Sequence, residues 1–157
     1  MIKLLRVDDK LLHGQVAFSW VRNLKIHTIL IADDRVAFDE FSKMILGLSK
    51  PSGVNLKIME IDCAIKELNE HANDEFNIMV IVNNIQNAYR IINNIPQLHS
   101  LNLGVLREHF ESVSYSQHVA LNSEEIKLCR EMIKKGIEIE MRLTFDDKKL
   151  DIGELIK

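Results

Sequence analysis

The sequence predicts a single-domain α/β fold spanning residues 1–157: a mostly parallel open sheet with helices on both faces and antiparallel edge strands near the C-terminus. Three observations predict it. Short apolar runs alternate with stretches of helical period about four times, the pattern of parallel strands joined by right-handed crossovers. One of those runs, Ile78-Met79-Val80-Ile81-Val82, is apolar throughout, as in a strand buried on both faces. The C-terminal third changes to strict apolar–polar alternation, the mark of strands with one wet face.

The elements follow in order. Ile2 to Val7 reads as a strand with polar breaks at Lys3 and Arg6. From Gln15 the period turns helical, with Val16, Trp20 and Leu24 four apart and Ala17 and Val21 beside them. Ile26 to Ala32 is a second strand. Phe38, Phe41, Ile45 and Leu48 then step by three, four and three, which predicts one buried helix face that stops near Pro51-Ser52-Gly53. Val54 to Ile61 is a third strand, with Val54, Leu56 and Ile58 on one side. Asp62 is placed to cap a short helix carrying Ile65 and Leu68.

Asn77 to Val82 is the fourth strand. Asn83 or Asn84 caps the next helix, whose face is Ile85, Ala88, Tyr89 and Ile92 and which ends before Pro96. Leu101 to Leu106 is the fifth strand. Val113, Tyr115, Gln117 and Val119 predict one further exposed strand. Ser123-Glu124-Glu125 opens a helix with Ile126, Cys129 and Ile133, and Gly136 is placed to end it. Ile137 to Leu143 alternates strictly, so one face is expected to be wet.

Composition narrows the function classes. With 157 residues the chain can bury a sizeable single core. The net charge is −3, with acids and bases mixed and no basic stripe, so nucleic acid is not the expected partner. No apolar run approaches the ~20 residues needed to span a bilayer, and because Met1 leads directly into a short strand no signal peptide is expected. Cys63 and Cys129 share no metal or redox spacing and read as core or half-buried thiols. None of the histidines has paired metal-ligand spacing. His27, His71 and His99 read as surface or loop imidazoles, and His109 and His118 carry no assigned role. Asp33-Asp34 and Asp146-Asp147 read as solvated turn residues.

The chemistry concentrates at Arg6-Val7-Asp8-Asp9-Lys10-Leu11-Leu12-His13-Gly14-Gln15-Val16, where the first strand becomes the first helix. In an open α/β sheet that turn lies over the carboxyl ends of the strands, where such folds place ligands. The first N–H groups of a helix lack intrahelical partners, and the macrodipole favours negative charge there. A dianionic phosphoryl group near His13 meets the free N–H groups of Gly14, Gln15 and Val16. Gly14 lets the backbone approach closely. Lys10 and Arg6 add positive charge. Asp8 or Asp9 can accept the N–H of one imidazole nitrogen, which fixes the tautomer and leaves the other nitrogen as nucleophile.

This run, followed by Ala17-Phe18-Ser19-Trp20, resembles the phosphorylation-site signature of the enzyme IIB components of the bacterial sugar phosphotransferase system. The resemblance is to the mannose/fructose/sorbose family, whose usual form is R-I-D-D-R-L-I-H-G-Q-V followed by a Trp. Weaker similarities at Val119 to Lys127 and Gly136 to Glu140 extend it over essentially the whole chain. The resemblance implies that His13 is a phosphoryl carrier. It takes the group from a phosphohistidine on a IIA protein or domain and passes it to a sugar held by the membrane IIC and IID components. No metal or organic cofactor is implied, because the donor is already a reactive phosphoramidate. The place of action implied is the cytoplasm, at the inner face of the membrane.

Two departures stand out. The family's usual Arg is Lys10 here, which keeps the charge but loses bidentate contact with phosphate. After the fifth strand the family reads N-x-G-G-M. This chain has Asn102-Leu103-Gly104-Val105-Leu106, then an acidic loop with Glu108 and Glu111. These departures leave a second reading, a non-enzymatic relative that keeps the fold and partner binding. A third, a receiver-type signalling domain, draws on the acidic pair Asp8-Asp9 and on Asp62, but lacks a lysine after the fifth strand and leaves His13-Gly14-Gln15 unexplained.

Overall fold

A computed structural model describes residues 1–71 and 73–156. In chain order the elements are β1 (Ile2–Asp8), α1 (Gly14–Leu24), β2 (Thr28–Ala32), a 3-10 turn (Val36–Phe38), α2 (Glu40–Leu48), β3 (Asn55–Met59), α3 (Ile61–Glu70), β4 (Ile78–Val82) and α4 (Ile85–Asn94). There follow β5 (Ser100–Val105), β6 (Val113–Ser114), β7 (Ala120–Leu121), α5 (Ser123–Lys134), β8 (Glu138–Met141), β9 (Leu150–Asp151) and α6 (Ile152–Leu155).

Seven strands form one sheet in the order β3-β2-β4-β1-β5-β8-β9. All neighbours are parallel except β8 and β9, so the predicted α/β class and antiparallel C-terminal edge are what the chain adopts. The apolar run Ile78–Val82 is β4, central and wholly buried. Alternation along β1 sorts the core into two layers. Leu5 and Val7 face one cluster with Ile61, Leu68, Ile85 and Ile91, whereas Leu4 faces the other with Trp20, Ile29, Ile31 and Leu46. Arg6 and Asp8 share the parity of Leu4, so they enter the layer covered by α1.

The connection leaving β1 runs toward β2 on one side, and the connection leaving β4 runs toward β5 on the other. This reversal puts the topological switch point of the sheet at the carboxyl end of β1, where a doubly wound sheet opens a crevice. His13 lies on that turn. The backbone turns at Leu11, whose φ of 59° is left-handed, and Leu11 N donates to the Asp8 carbonyl at 2.9 Å. Burial of Leu11 and Leu12 holds this uncommon conformation.

Several helix and strand signals hold. Asn84 caps α4 by accepting from Asn87 N, and Gly136 adopts φ 91° after α5. Asn122 and Glu125 form a capping box at the start of α5.

Other expectations are corrected. The apolar face of α2 points outward: Phe38, Phe41, Ile45 and Leu48 are exposed, and Leu46 is the buried residue of the helix. Periodicity identifies an apolar stripe but not the side of the helix that meets the sheet. Residues 113–121 form a two-stranded antiparallel ribbon, β6 with β7, rather than one strand. On β8 the expected wet face is partly dry, because Glu140 is buried beside Asn102 of β5. The cap of α3 comes from elsewhere: Asp34 Oδ1 accepts from Ile61 N at 2.9 Å, while Asp62 pairs with Arg90. Asp33 is buried and accepts from Arg35 N and Val36 N, so it is a structural turn residue rather than a solvated one. Cys63 is exposed. Cys129 is in the core, where burial pushes its thiol up to about 12.

Candidate functional site

β1 ends in Asp8, and α1 begins at Gly14 with His13 as its N-cap residue. His13 has extended backbone, φ −135° and ψ 130°, and its side chain makes no capping bond. The ring is instead turned back to β1: Nε2 lies 2.9 Å from Asp8 Oδ2. Asp8 is fully buried. Its Oδ2 also accepts from Arg6 Nη2 at 3.0 Å, and its Oδ1 accepts from Lys10 N at 2.9 Å. A carboxylate bonded to a guanidinium is an acceptor, so the hydrogen between Asp8 and His13 sits on Nε2. That assignment leaves Nδ1 with the lone pair.

The end of α1 is open for negative charge. Ala17 N makes the first helical bond, to the His13 carbonyl at 3.1 Å, which leaves the N–H groups of Gly14, Gln15 and Val16 before it. No acidic residue occupies the first turn. Gly14 and Gln15 are exposed and Val16 is partly so. A Cβ at Gly14 would meet only the Ser49 carbonyl, at 3.5 Å, so packing within the chain does not demand a glycine there. The Lys10 side chain is exposed and forms no ion pair among the described residues.

The two adjacent carboxylates part company. Asp8 turns to His13, whereas Asp9 turns to the loop after β5, where it accepts from Arg107 N at 2.8 Å and from Arg107 Nε at 3.1 Å. Of the two carboxylates, Asp8 is therefore the one that contacts the His13 ring. Arg6 is also placed differently from expectation. It is 1% exposed, so its guanidinium is not accessible to an entering phosphoryl group, and it reaches His13 only through Asp8. Burial pulls the Arg6 pKa below its ordinary value, and the Asp8 charge opposes that pull.

Behind Arg6 stand residues that the sequence did not single out as site residues. Arg6 Nη1 donates to Asn102 Oδ1 at 2.7 Å and to the Arg142 carbonyl at 3.2 Å. Asn102 also meets Glu140, which pairs with Arg142 at 3.3 Å. Trp20 stacks under both guanidiniums, its ring centre 5.8 Å from Arg6 Cζ and 4.7 Å from Arg142 Cζ. A polar Asn between Leu101 and Leu103 in an apolar strand was the one signal that could have found this cluster.

A second histidine lies at the same end of the sheet. His109 Nδ1 is 2.7 Å from the Arg107 carbonyl, and Nε2 is 2.7 Å from Glu125 Oε1. The Arg107 carbonyl, with Glu125 adding to it, raises the His109 pKa above its ordinary value. A cleft of about 440 Å³ lies there, lined by Asp9, Asn83, Asn84, Arg107, His109 and Glu125. Among the described residues, no group of three or more His, Cys, Asp or Glu could hold a metal ion, and no helix is long and apolar enough to cross a membrane.

Comparison with known proteins bears on this geometry. The sequence model for the sorbose subfamily IIB component of the PTS system matches residues 2–157. A probable phosphotransferase enzyme IIB component of Streptococcus pyogenes is 32% identical over 99% of each chain. The mannose-specific EIIAB component of Escherichia coli K12 is 27% identical over 99% of this chain, which spans 48% of that longer protein. The IIBSor domain of the sorbose permease from Klebsiella pneumoniae shares the fold, with a TM-score of 0.92 at 24% identity over 99% of this chain and 96% of that one. The manxB structure from Thermoanaerobacter tengcongensis gives a TM-score of 0.91 at 29% identity, over 99% and 95% of the two chains.

Proposed function

The chain belongs to the sorbose subfamily of IIB components, phosphotransfer components of the sugar phosphotransferase system, and from that premise we propose that His13 is its phosphoryl carrier and Nδ1 the atom that carries the group. The observation that supports this most directly is the 2.9 Å contact of Nε2 with buried Asp8, which leaves Nδ1 free at the start of α1.

The proposed reaction is a displacement at phosphorus. The His13 Nδ1 lone pair forms a P–N bond as the P–N bond to a phosphohistidine on the IIA donor breaks, and the donor imidazole leaves with that electron pair. His13 then bears an N-phosphorylated imidazolium. Asp8 holds its Nε2–H throughout and balances the new positive charge. Phosphoryl transfer places most of its charge on the equatorial oxygens, so the protein chiefly positions and stabilises. The N–H groups of Gly14, Gln15 and Val16 and the Lys10 ammonium supply donors for those oxygens. In the second half-reaction a sugar hydroxyl attacks the same phosphorus, His13 Nδ1 leaves with the P–N electron pair as neutral imidazole, and the hydroxyl proton passes to water. The sugar is held by membrane IIC and IID components, with the IIB chain working as one domain at the cytoplasmic face.

The name of the E. coli EIIAB relative, twice this chain's span, supports a IIA partner. The family match removes the receiver-domain reading. Incubation with a phosphorylated IIA protein, followed by intact mass and site mapping, tests the proposal. One phosphate on His13, absent in His13→Ala, is expected. No phosphate from a range of donors would favour the non-enzymatic relative instead.

A further inference from the structure

Four charged side chains lie together beneath His13. Arg6 pairs with Asp8 and Arg142 with Glu140, so the cluster is neutral as a whole. Asn102 joins the two pairs. Its orientation is fixed by chemistry: a guanidinium only donates, so Oδ1 faces Arg6 at 2.7 Å, and Nδ2 then donates to Glu140 Oε1 at 3.3 Å and to the Arg142 carbonyl at 3.1 Å. The register of β5 with β8 sets Asn102 directly beside Glu140. The register of β1 with β5 sets it directly beside Arg6.

Buried charge of this kind is a poor source of stability. Apolar residues of similar volume often serve a core as well or better. The surrounding layer is apolar, with Leu4, Ile29, Met79 and Ile81. The chain also leaves space for the arrangement: a Cβ at Gly104 would overlap the Arg6 guanidinium. That position is not forced to glycine by a positive φ. Space for one side chain, two strand registers and a fixed amide all converge on where Arg6 sits. Arg6 in turn shares Asp8 Oδ2 with His13 Nε2.

We infer that Asn102 is a positioning residue for His13, holding the Arg6 guanidinium against Asp8 so that the Asp8 carboxylate stays aimed at Nε2. This rests on the reading of His13 as carrier. The consequence is specific. With Arg6 in place, Asp8 accepts Nε2–H and the lone pair is on Nδ1. With Arg6 displaced, the buried carboxylate re-forms its hydrogen bonds around what remains, and the ring is no longer held to one tautomer.

Two substitutions displace Arg6 without touching His13, Asp8 or any charge. Asn102→Leu removes the amide, and Gly104→Ala inserts one methyl group against the guanidinium. Nitrogen-15 NMR of the neutral His13 ring reads the tautomer, and potassium phosphoramidate serves as a small donor independent of any protein partner. The wild type is expected to show a single Nε2–H tautomer. Both variants, folded by circular dichroism, are expected to show a mixed tautomer and phosphorylation of His13 slower on the order of tenfold at saturating donor, with KM unchanged. A cluster that serves stability alone would lower the melting temperature and leave tautomer and rate as in the wild type, and that result overturns the inference. Should Gly104→Ala not fold, Asn102→Leu decides alone. Asn102→Ser, whose hydroxyl is too short to bridge both partners, is the milder replacement. Wild-type protein that shows the single tautomer but takes no phosphate on His13 would refute the carrier reading and leave the positioning role standing.

Discussion

His13 and His109 stand at the same end of the sheet, after neighbouring parallel strands, and each side chain is 33% exposed. Their rings are held in different ways. His13 has one nitrogen on a buried carboxylate and the other free. His109 has an acceptor at both nitrogens, the Arg107 carbonyl and Glu125. An imidazole between two acceptors is held as a double donor, and its raised pKa expresses that. While both nitrogens carry a proton, such a ring ties a loop down and offers no lone pair to attack phosphorus. The number of acceptors around a ring, rather than its exposure or its place on the sheet, separates a candidate nucleophile from a structural histidine.

The largest effect that could break this comparison is the loss of phosphate uptake itself. His13→Ala is expected to abolish labelling, by a factor on the order of a thousand or more, and His109→Ala to retain it, as read by intact mass after exposure to a phosphorylated donor. Labelling of His109 in either background would contradict the contrast. Asp8→Asn comes next. It removes the charge that fixes the tautomer and leaves Arg6 without its buried partner. Transfer is expected to fall on the order of a hundredfold, and stability by about 3 kcal/mol in a denaturant titration.

Smaller effects sharpen the picture of the phosphate end. Gly14→Ala is expected to leave the melting temperature near the wild type, since only the Ser49 carbonyl stands nearby, yet to slow transfer several-fold by keeping the phosphoryl oxygens off the helix N–H groups. Lys10→Arg is expected to speed transfer a few-fold through bidentate contact, and Lys10→Ala to slow it about tenfold.

The smallest effect concerns the other histidine. The His109 pKa is raised on folding, so its contribution to stability is fully present below the unfolded value of 6.5 and is lost as pH rises through the higher folded value. Denaturation midpoints measured across neutral pH should therefore decline with rising pH more in the wild type than in His109→Gln. Equal slopes would mean that the two acceptors do not hold a proton on the ring.

The features legible in the sequence are local ones. The turn from Arg6 to Val16 was legible because strand, acidic pair, histidine and helix start are contiguous, and their chemistry follows from helix-end physics. The central strand β4 was legible because a run with no polar break has only a two-sided interior to occupy. What escaped was non-local. Asn102, Glu140 and Arg142 meet Arg6 only because β5 lies between β1 and β8, a neighbour relation that no window of sequence contains. Glu140 read as wet for the same reason. The α2 stripe failed differently: Phe38, Phe41, Ile45 and Leu48 do share a face, but the helix turns Leu46 to the sheet. Asp8 and Asp9 could not be told apart in sequence, because strand parity sends one carboxylate under α1 and the other to Arg107.

The measurement that bears most directly on the central claim is the position of the phosphate on the ring. Phosphorylated protein, examined by phosphorus-31 and nitrogen-15 NMR, distinguishes a phosphoryl group on Nδ1 from one on Nε2. The 2.9 Å bond from Nε2 to Asp8 predicts phosphate on Nδ1 of His13, with Nε2 still protonated. Phosphate on Nε2 would mean that Asp8 releases the ring before transfer, and the arrangement described here would not be the reactive one.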